Sequence, residues 1–197
     1  MGIGLSGQPD FVIPGQRVNL RTLVESDLAD YERWYTHDYK AWEFDAPYLG
    51  HGLGKTLENR RKWLDGDRQP PFRRLEIETK EHRHIGWVNI YRVTAVDVHM
   101  TEAGIDIIED EMWNQGLGTE ALRLWVDYVF EAHNLARLGV ATWSGNPRMV
   151  RVAEKVGLQV EGRIRNGCEV KGRFYDRIKL GVLRSEWEAG RKSRTEA

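Results

Sequence analysis

Between Glu102 and Ala121 an alternating apolar stretch runs through a short acidic turn into Gly116-x-Gly118, and a helix-like pattern follows. A strand, a glycine turn and a helix start in that order make an anion site. The first N–H groups of a helix lack intrahelical partners, and the helix dipole adds positive potential. Gly116 and Gly118 let the backbone approach a phosphate with no Cβ in the way. Upstream, strand alternation puts Glu102, Gly104 and Asp106 on one face. The chemistry on offer is a phosphorylated ligand held beside carboxylates.

Three phosphate ligands compete. Gly50-His51-Gly52-Leu53-Gly54-Lys55-Thr56 is one residue short of the P-loop pattern and follows an aromatic loop instead of a buried strand. It reads as a loop leading into a helix. Gly116-x-Gly118-x-x-Ala121 formally fits the dinucleotide fingerprint, but no Asp or Glu lies between Ala132 and Ala153 to hold a ribose, and the motif sits mid-chain. The third ligand is coenzyme A. Trp113-Asn114-Gln115-Gly116-Leu117-Gly118-Thr119-Glu120-Ala121 resembles the pyrophosphate-binding motif of the GNAT superfamily of acyl-CoA-dependent N-acyltransferases. The branch it resembles holds the ribosomal-protein N-terminal (RimJ/RimL-type) and spermidine acetyltransferases. Four further pieces are similar in order and spacing: Val18-Asn19-Leu20-Arg21 with Glu25-Ser26-Asp27-Leu28; Ile85-Gly86-Trp87-Val88; Asn146-Pro147 through Glu154-Lys155-Val156-Gly157-Leu158; and Glu161-Gly162-Arg163 with Gly172-Arg173-Phe174-Tyr175-Asp176. The resemblance covers residues 17–187.

The resemblance implies acetyl-CoA as co-substrate, no metal, and transfer of acetyl to a primary amine. The acceptor classes, in order, are a protein or peptide N-terminus, a polyamine or small amine, and an aminoglycoside. It implies that the backbone of Ile107 and Ile108 pairs with the amide arm of the cofactor. The N–H groups of Asn114, Gln115, Gly116, Leu117, Gly118 and Thr119 hold the pyrophosphate. Trp113 either packs on the cofactor or wedges the loop. Asn146 matches an asparagine that touches the pantetheine arm, and it also suits a helix N-cap. An amine must be neutral before it attacks a thioester, so a base helps. Glu102 occupies the position of the general-base glutamate, with Asp106 the alternative on the same strand face. The acid departs from the family: the tyrosine seven residues after the asparagine is replaced by Ala153, and the serine three residues after it by Met149. Tyr175 and Ser144 are the substitutes nearby in sequence. Acceptor recognition falls to the loop carrying Trp42, Glu43, Asp45 and Tyr48, whose aromatics wall a pocket and whose carboxylates attract an ammonium group. Glu169, Tyr175 and Asp176 are candidates for the opposite wall. A CoA-binding regulatory module without turnover is the alternative from another class, and a dinucleotide oxidoreductase the third.

These residues need elements to position them. Alternation marks strands over 17–23, 72–79, 85–93 and 100–108, and a short buried strand over 138–143. Helical spacing marks 25–34, 56–64, 119–133 and 147–156, the last opened by Asn146-Pro147 and closed by Gly157. Residues 158–164 and 174–183 pair as a hairpin, and residues after Trp187 read as a frayed, solvated tail. The fold expected is a single GNAT-type α/β domain over 17–187 with a mixed, mostly antiparallel sheet flanked by helices. A 1–16 extension precedes it and a 188–197 tail follows. Trp87, Trp125 and Trp143 belong to the core.

Bulk composition sets further bounds. Of 197 residues, 41% are hydrophobic and 30% charged, enough apolar material for a core, and the net charge of −1 gives no nucleic-acid footprint. No apolar run reaches the ~18 residues of a membrane span, and no secretory leader is evident. With one cysteine, Cys168, no internal disulfide forms, and a cytoplasmic setting is expected. Met1-Gly2-Ile3-Gly4-Leu5-Ser6 fits a myristoylation pattern. His82-Arg83-His84 lacks the partners of a metal site. The oligomeric state stays open between monomer and homodimer.

Overall fold

The structure is a computed structural model describing residues 8–49, 53–66, 69–93, 97 and 99–195; the myristoylation pattern and the glycines at 50 and 52 lie outside them. The chain forms β1 (Val12–Pro14), β2 (Val18–Arg21), α1 (Asp27–Thr36), α2 (Leu53–Asp65), β3 (Arg74–Thr79), β4 (His84–Arg92) and β5 (Thr101–Ile107). There follow α3 (Leu117–Ala132), β6 (Arg137–Trp143), α4 (Pro147–Val156), β7 (Gln159–Val170), β8 (Arg173–Leu183) and α5 (Arg184–Thr195). Eight strands make one sheet in the order β1-β2-β3-β4-β5-β6-β8-β7. Every neighbouring pair is antiparallel except β5 with β6, which meet in parallel at the single register Glu102↔Gly139. The two strands then part, so β5 runs on with one edge open. The mixed, mostly antiparallel sheet expected from the alternation is the one observed.

Helices cover both faces. α3 lays Ala121, Leu122, Trp125, Val126, Val129 and Phe130 on one face, joined by Ala153 and Val156 of α4 and Trp187 of α5. Tyr31 and Trp34 of α1, with Ala41, pack on the other face around Trp87 and Ile108. Trp87, Trp125 and Trp143 are buried as expected. α4 begins as its sequence dictates: Asn146 Oδ1 accepts the Met149 N–H at 3.1 Å, and Gly157 closes the helix in the left-handed region at φ 117°.

Two sequence expectations need correction at the termini. Residues past Trp187 do not fray, for α5 runs to Thr195. The buried Trp187 anchors it, donating its indole N–H to Asp127 Oδ1 at 2.9 Å, and Arg191 meets Glu131 at 2.5 Å. A polar helix with one aromatic anchor shows too little apolar periodicity to be seen in sequence. Residues 12–14 also join the sheet, as β1, with Ile13 opposite Leu20.

Candidate functional site

The glycine turn is built from the backbone. Gly116 is the N-cap of α3 in the left-handed region, φ 83°, where a side chain is strained, and Asn114 takes φ 62°, which asparagine tolerates. The N–H groups of Leu117, Gly118 and Thr119 fall in the first helical turn and have no intrahelical acceptor. The turn is braced from three sides. Arg17 Nη1 donates to Gln115 O at 2.6 Å, the Arg17 N–H donates to Glu120 Oε1 at 2.8 Å, and Gln115 Nε2 donates to Glu111 O at 2.8 Å. A rigid concave run of donors at a helix start fits a diphosphate.

Of the two residues expected to pair with the cofactor arm, one has its polar edge on the open side. The Ile108 N–H donates to Ile85 O at 3.0 Å, so that edge belongs to β4. Alternation turns Ile107 the other way, toward the gap left by β6, where its carbonyl accepts the Trp113 indole N–H at 2.8 Å. Trp113 wedges this end of the strand against the loop. The strand end is locked to α1 as well: Glu109, just beyond, accepts from the Trp34 indole at 2.7 Å and meets Arg33 at 2.7 Å and Arg83 at 2.8 Å.

On the sheet face toward α1, β4 and β5 set Tyr91 opposite Glu102, Asn89 opposite Gly104 and Trp87 opposite Asp106. A Cβ at Gly104 would stand 2.4 Å from Asn89 Oδ1, so glycine lets Asn89 lie across the strand. Glu102 is buried and engaged, by the Lys179 ammonium and by the Tyr91 hydroxyl at 3.1 Å. Among the described residues no cation pairs with Asp106. Burial first, and then the carboxylate of Asp45, push its acid constant well above the usual carboxylate range, with Arg74 and a hydrogen bond from Trp87 opposing. The Tyr48 ring takes the Arg177 guanidinium at 4.5 Å and meets Trp143 edge-on at 6.4 Å. Burial chiefly raises the phenol of Tyr48, and that of Tyr91, where Glu102 adds to the effect.

The structure brings Asp45 and Tyr48 within electrostatic reach of Asp106 and Glu102 and leaves Trp42 and Glu43 apart. Trp42 packs on Tyr35 at 4.7 Å and donates to Trp34 O at 2.9 Å, while Glu43 is exposed and pairs with Lys171 at 3.5 Å. Tyr175 stands edge-on to Trp143 at 4.8 Å, and Ser144 Oγ accepts the Asp176 N–H at 3.1 Å, so both serve the β6–β8 junction. Asp176 is spent on Arg163 at 2.5 Å. Cys168 is buried with Sγ 3.6 Å from Tyr175 O, a passive thiol whose acid constant burial raises. Asn146 caps α4 and also donates through Nδ2 to Phe44 O at 3.3 Å; the same carbonyl accepts the Trp143 indole at 2.9 Å. Tyr91, Lys179 and Arg177 were not anticipated. Arg177 and Lys179 lie on β8, whose pairing with β6 local sequence does not reveal; the strand carrying Tyr91 was expected beside β5, but not which of its side chains would face Glu102.

His84, one residue ahead of the strand expected over 85–93, opens β4 in a buried ionic cluster. Its Nδ1 faces Asp30 at 3.1 Å and Asp27 at 3.4 Å, and its Nε2 faces Glu76 at 3.1 Å. Burial pulls its acid constant down, but the bonds to Asp30 and Glu76 outweigh that and lift it to about 9. Asp27, Asp30 and His84 come close enough to hold a cation, with ligand atoms within 4.8 Å of one another. An imidazolium with both nitrogens on carboxylates has no lone pair for a metal, however, and Arg21 takes both Asp27 oxygens, at 2.7 and 2.8 Å. The cluster is structural.

A helix-start phosphate cradle beside a parted parallel strand pair, with carboxylates on the adjoining face, defines an acyl-CoA-dependent transferase fold. The family model described as "Acetyltransferase (GNAT) domain" matches residues 17–159, and the chain belongs to that family. Among curated relatives, the Bacillus subtilis protein named "Putative ribosomal N-acetyltransferase YdaF" is 33% identical over 41% of this chain and 44% of its own length. "Probable N-acetyltransferase YjcK", also of Bacillus subtilis, is 26% identical over 90% of this chain and 99% of its own. The Escherichia coli spermidine N(1)-acetyltransferase is 28% identical over 44% and 47%. The first and third matches thus span under half of those relatives. Among solved structures, a GNAT-family acetyltransferase from Bacillus anthracis superposes with TM-score 0.71 at 19% identity, covering 89% of this chain and all of that one. The Vibrio cholerae spermidine N-acetyltransferase in complex with CoA and spermine gives 0.68 at 22%, covering 87% and 98%. These structural likenesses speak to the fold.

Proposed function

We propose that this chain transfers an acetyl group from acetyl-CoA to a primary amine, a protein or peptide N-terminus first among acceptors. The observation that carries the reading is geometric: β5 pairs with β6 only at Glu102, parts from it, and runs with Glu102 and Asp106 on one face to the glycine turn that opens α3. Bound acetyl-CoA supplies the activated thioester. The protein's part is to hold the phosphates on the N–H groups of residues 114–119, offer the Ile107 edge to the amide arm, and receive a proton from the incoming ammonium. Asp106 is the better base of the two carboxylates. Glu102 is neutralised by Lys179 and bonded by Tyr91, whereas burial and Asp45 raise the proton affinity of Asp106. The setting expected is the cytoplasm; among the described residues no helix is long and apolar enough to cross a membrane.

A second reading, a polyamine acceptor, is favoured by the clustering of Asp45, Asp106 and Glu102, since a polyamine brings a further ammonium for a further carboxylate. Thiol release from acetyl-CoA, measured across N-terminal peptides, polyamines and aminoglycosides, separates the two. Turnover with peptides supports the first and turnover with polyamines the second. Calorimetric binding of acetyl-CoA with no turnover on any panel member would favour a regulatory CoA-binding module instead.

A further inference from the structure

Arg148, the second residue of α4, lies outside the groups assigned to the proposed reaction. Its guanidinium stands 4.6 Å from the centroid of the Trp113 ring and 5.0 Å from that of Phe44, and the two rings meet edge-on at 5.9 Å. Trp113 is the first residue of the phosphate turn, and its indole is fixed by the Ile107 carbonyl. The stack therefore holds a cation at the mouth of the cradle, across the gap where β5 and β6 part. Other cations around this loop are committed. Arg17 bonds Gln115 O at 2.6 Å, Arg83 meets Glu109 and Glu111, and Lys40 meets Asp110 at 3.1 Å. Among the described residues no carboxylate pairs with Arg148. Ring faces hold its charge but cannot accept its five N–H donors. A planar fork of donors without an acceptor, beside a run of backbone N–H groups already shaped for an anion, matches a phosphate bidentately.

We propose that Arg148 is a phosphate ligand for coenzyme A, stored between Trp113 and Phe44 and completing the backbone cradle from the α4 side. The proposal rests on the cofactor reading above. Phe44 and Trp113 hold the guanidinium against their rings, so less conformational freedom remains to be lost when a phosphate arrives.

The test is calorimetry on the full chain with three probes: CoA, dephospho-CoA (which lacks the 3′-phosphate) and pantetheine (which lacks every phosphate). Arg148→Gln and Arg148→Lys are compared with wild type after matched thermal melts. Loss of a charge-assisted bidentate contact predicts that Arg148→Gln binds CoA about tenfold or more weakly. Arg148→Lys, which keeps charge without the fork, should fall between, and pantetheine binding should be the same in all three. A loss that persists with dephospho-CoA assigns the contact to the pyrophosphate; a loss that vanishes there assigns it to the 3′-phosphate. Unchanged CoA affinity in Arg148→Gln, or an equal loss for pantetheine, overturns the proposal and leaves Arg148 a prop for the two rings. Failure of the wild-type protein to bind CoA overturns this proposal and the cofactor reading together.

Discussion

Beneath α3 the sheet buries Trp125, Val126, Val129, Leu138 and Val140, an apolar face in which polar groups are few. Beneath α1 the same sheet buries Arg21, Asp27, Arg74, Glu76, His84 and Glu109 around Tyr31 and Trp34. The apolar face is held by burial itself, which involves no protonation equilibrium. The ionic face is held by mutual neutralisation. Tyr31 donates to Glu76 at 2.6 Å and accepts from Arg74, and Arg74 also lies 4.3 Å above the Trp87 ring. Asp106 projects from this second face. The charged side of the sheet is thus also the side that tunes a carboxyl, and the cost is a core that depends on protonation.

The largest expected effect lies where that face meets the reaction. Asp106→Asn keeps the shape and removes the proposed proton acceptor, so kcat should fall about 10²- to 10⁴-fold, the usual range for general-base loss, with acetyl-CoA affinity kept. Glu102→Gln frees Lys179 and should cost less. Steady-state rates of both variants against one acceptor decide the assignment, and the reverse order would return the role to Glu102.

Two substitutions set the faces against each other. Trp125→Ala removes a ring that stacks on Tyr128 at 5.3 Å and bonds Asn89 O at 3.0 Å, and should cost about 3–5 kcal/mol whatever the pH. Glu76→Gln strands Arg74 and His84 and should also cost about 3–5 kcal/mol near neutrality. Burial raises the acid constant of Glu76, but Arg74 and His84 outweigh it and hold it at about 2. Its stabilisation is therefore present above the ordinary carboxylate value of 4.5 and lost as pH falls through about 2. Urea unfolding at pH 7 and pH 3 should show a constant deficit for Trp125→Ala and a shrinking one for Glu76→Gln. Parallel behaviour would erase the distinction between the faces.

His84 sharpens the same contrast from the alkaline side. Its folded value of about 9 lies above the ordinary 6.5, so its contribution is complete below 6.5 and disappears as pH rises through about 9. The shift sets an upper bound of about 3 kcal/mol. Melting temperature should decline between pH 7 and 10 more steeply in wild type than in His84→Gln. Equal slopes would mean that the imidazole is neutral in the fold.

Legibility in sequence divides along a related line. The phosphate turn is contiguous, its glycine spacing is forced by backbone conformation, and Asn146-Pro147 to Gly157 announces its own helix. Those elements lay where they were expected. The wall that faces Glu102 and Asp106 is assembled from three stretches distant in sequence, the loop carrying Asp45 and Tyr48, Tyr91 on β4, and Arg177 and Lys179 on β8, which only the tertiary fold brings together. Loop composition pointed to Trp42 and Glu43 as readily as to Asp45 and Tyr48, since nothing local says which side of the loop faces the sheet. Arg148 was hidden for a different reason: the N-cap Asn146 and Pro147 just before it already account for that stretch, and a stacked cation leaves no periodicity.

The smallest effect probes the place where the two sides of the cleft touch. Asn146 carries two duties at once, capping α4 through Oδ1 and holding the Phe44 carbonyl through Nδ2. Asn146→Ala loses both, the cap being worth about 1 kcal/mol. Asn146→Asp keeps an acceptor for the Met149 N–H but cannot donate to Phe44. If the asparagine only caps a helix, the Asp variant should be as stable and as active as wild type. If it also fixes the loop that presents Asp45, the Asp variant should keep its melting temperature and raise the acceptor KM, whereas a loss of acetyl-CoA affinity would instead mark the pantetheine contact expected of Asn146. A melting temperature lowered equally in both variants would mean that the bond to Phe44, and not the cap, carries the stability.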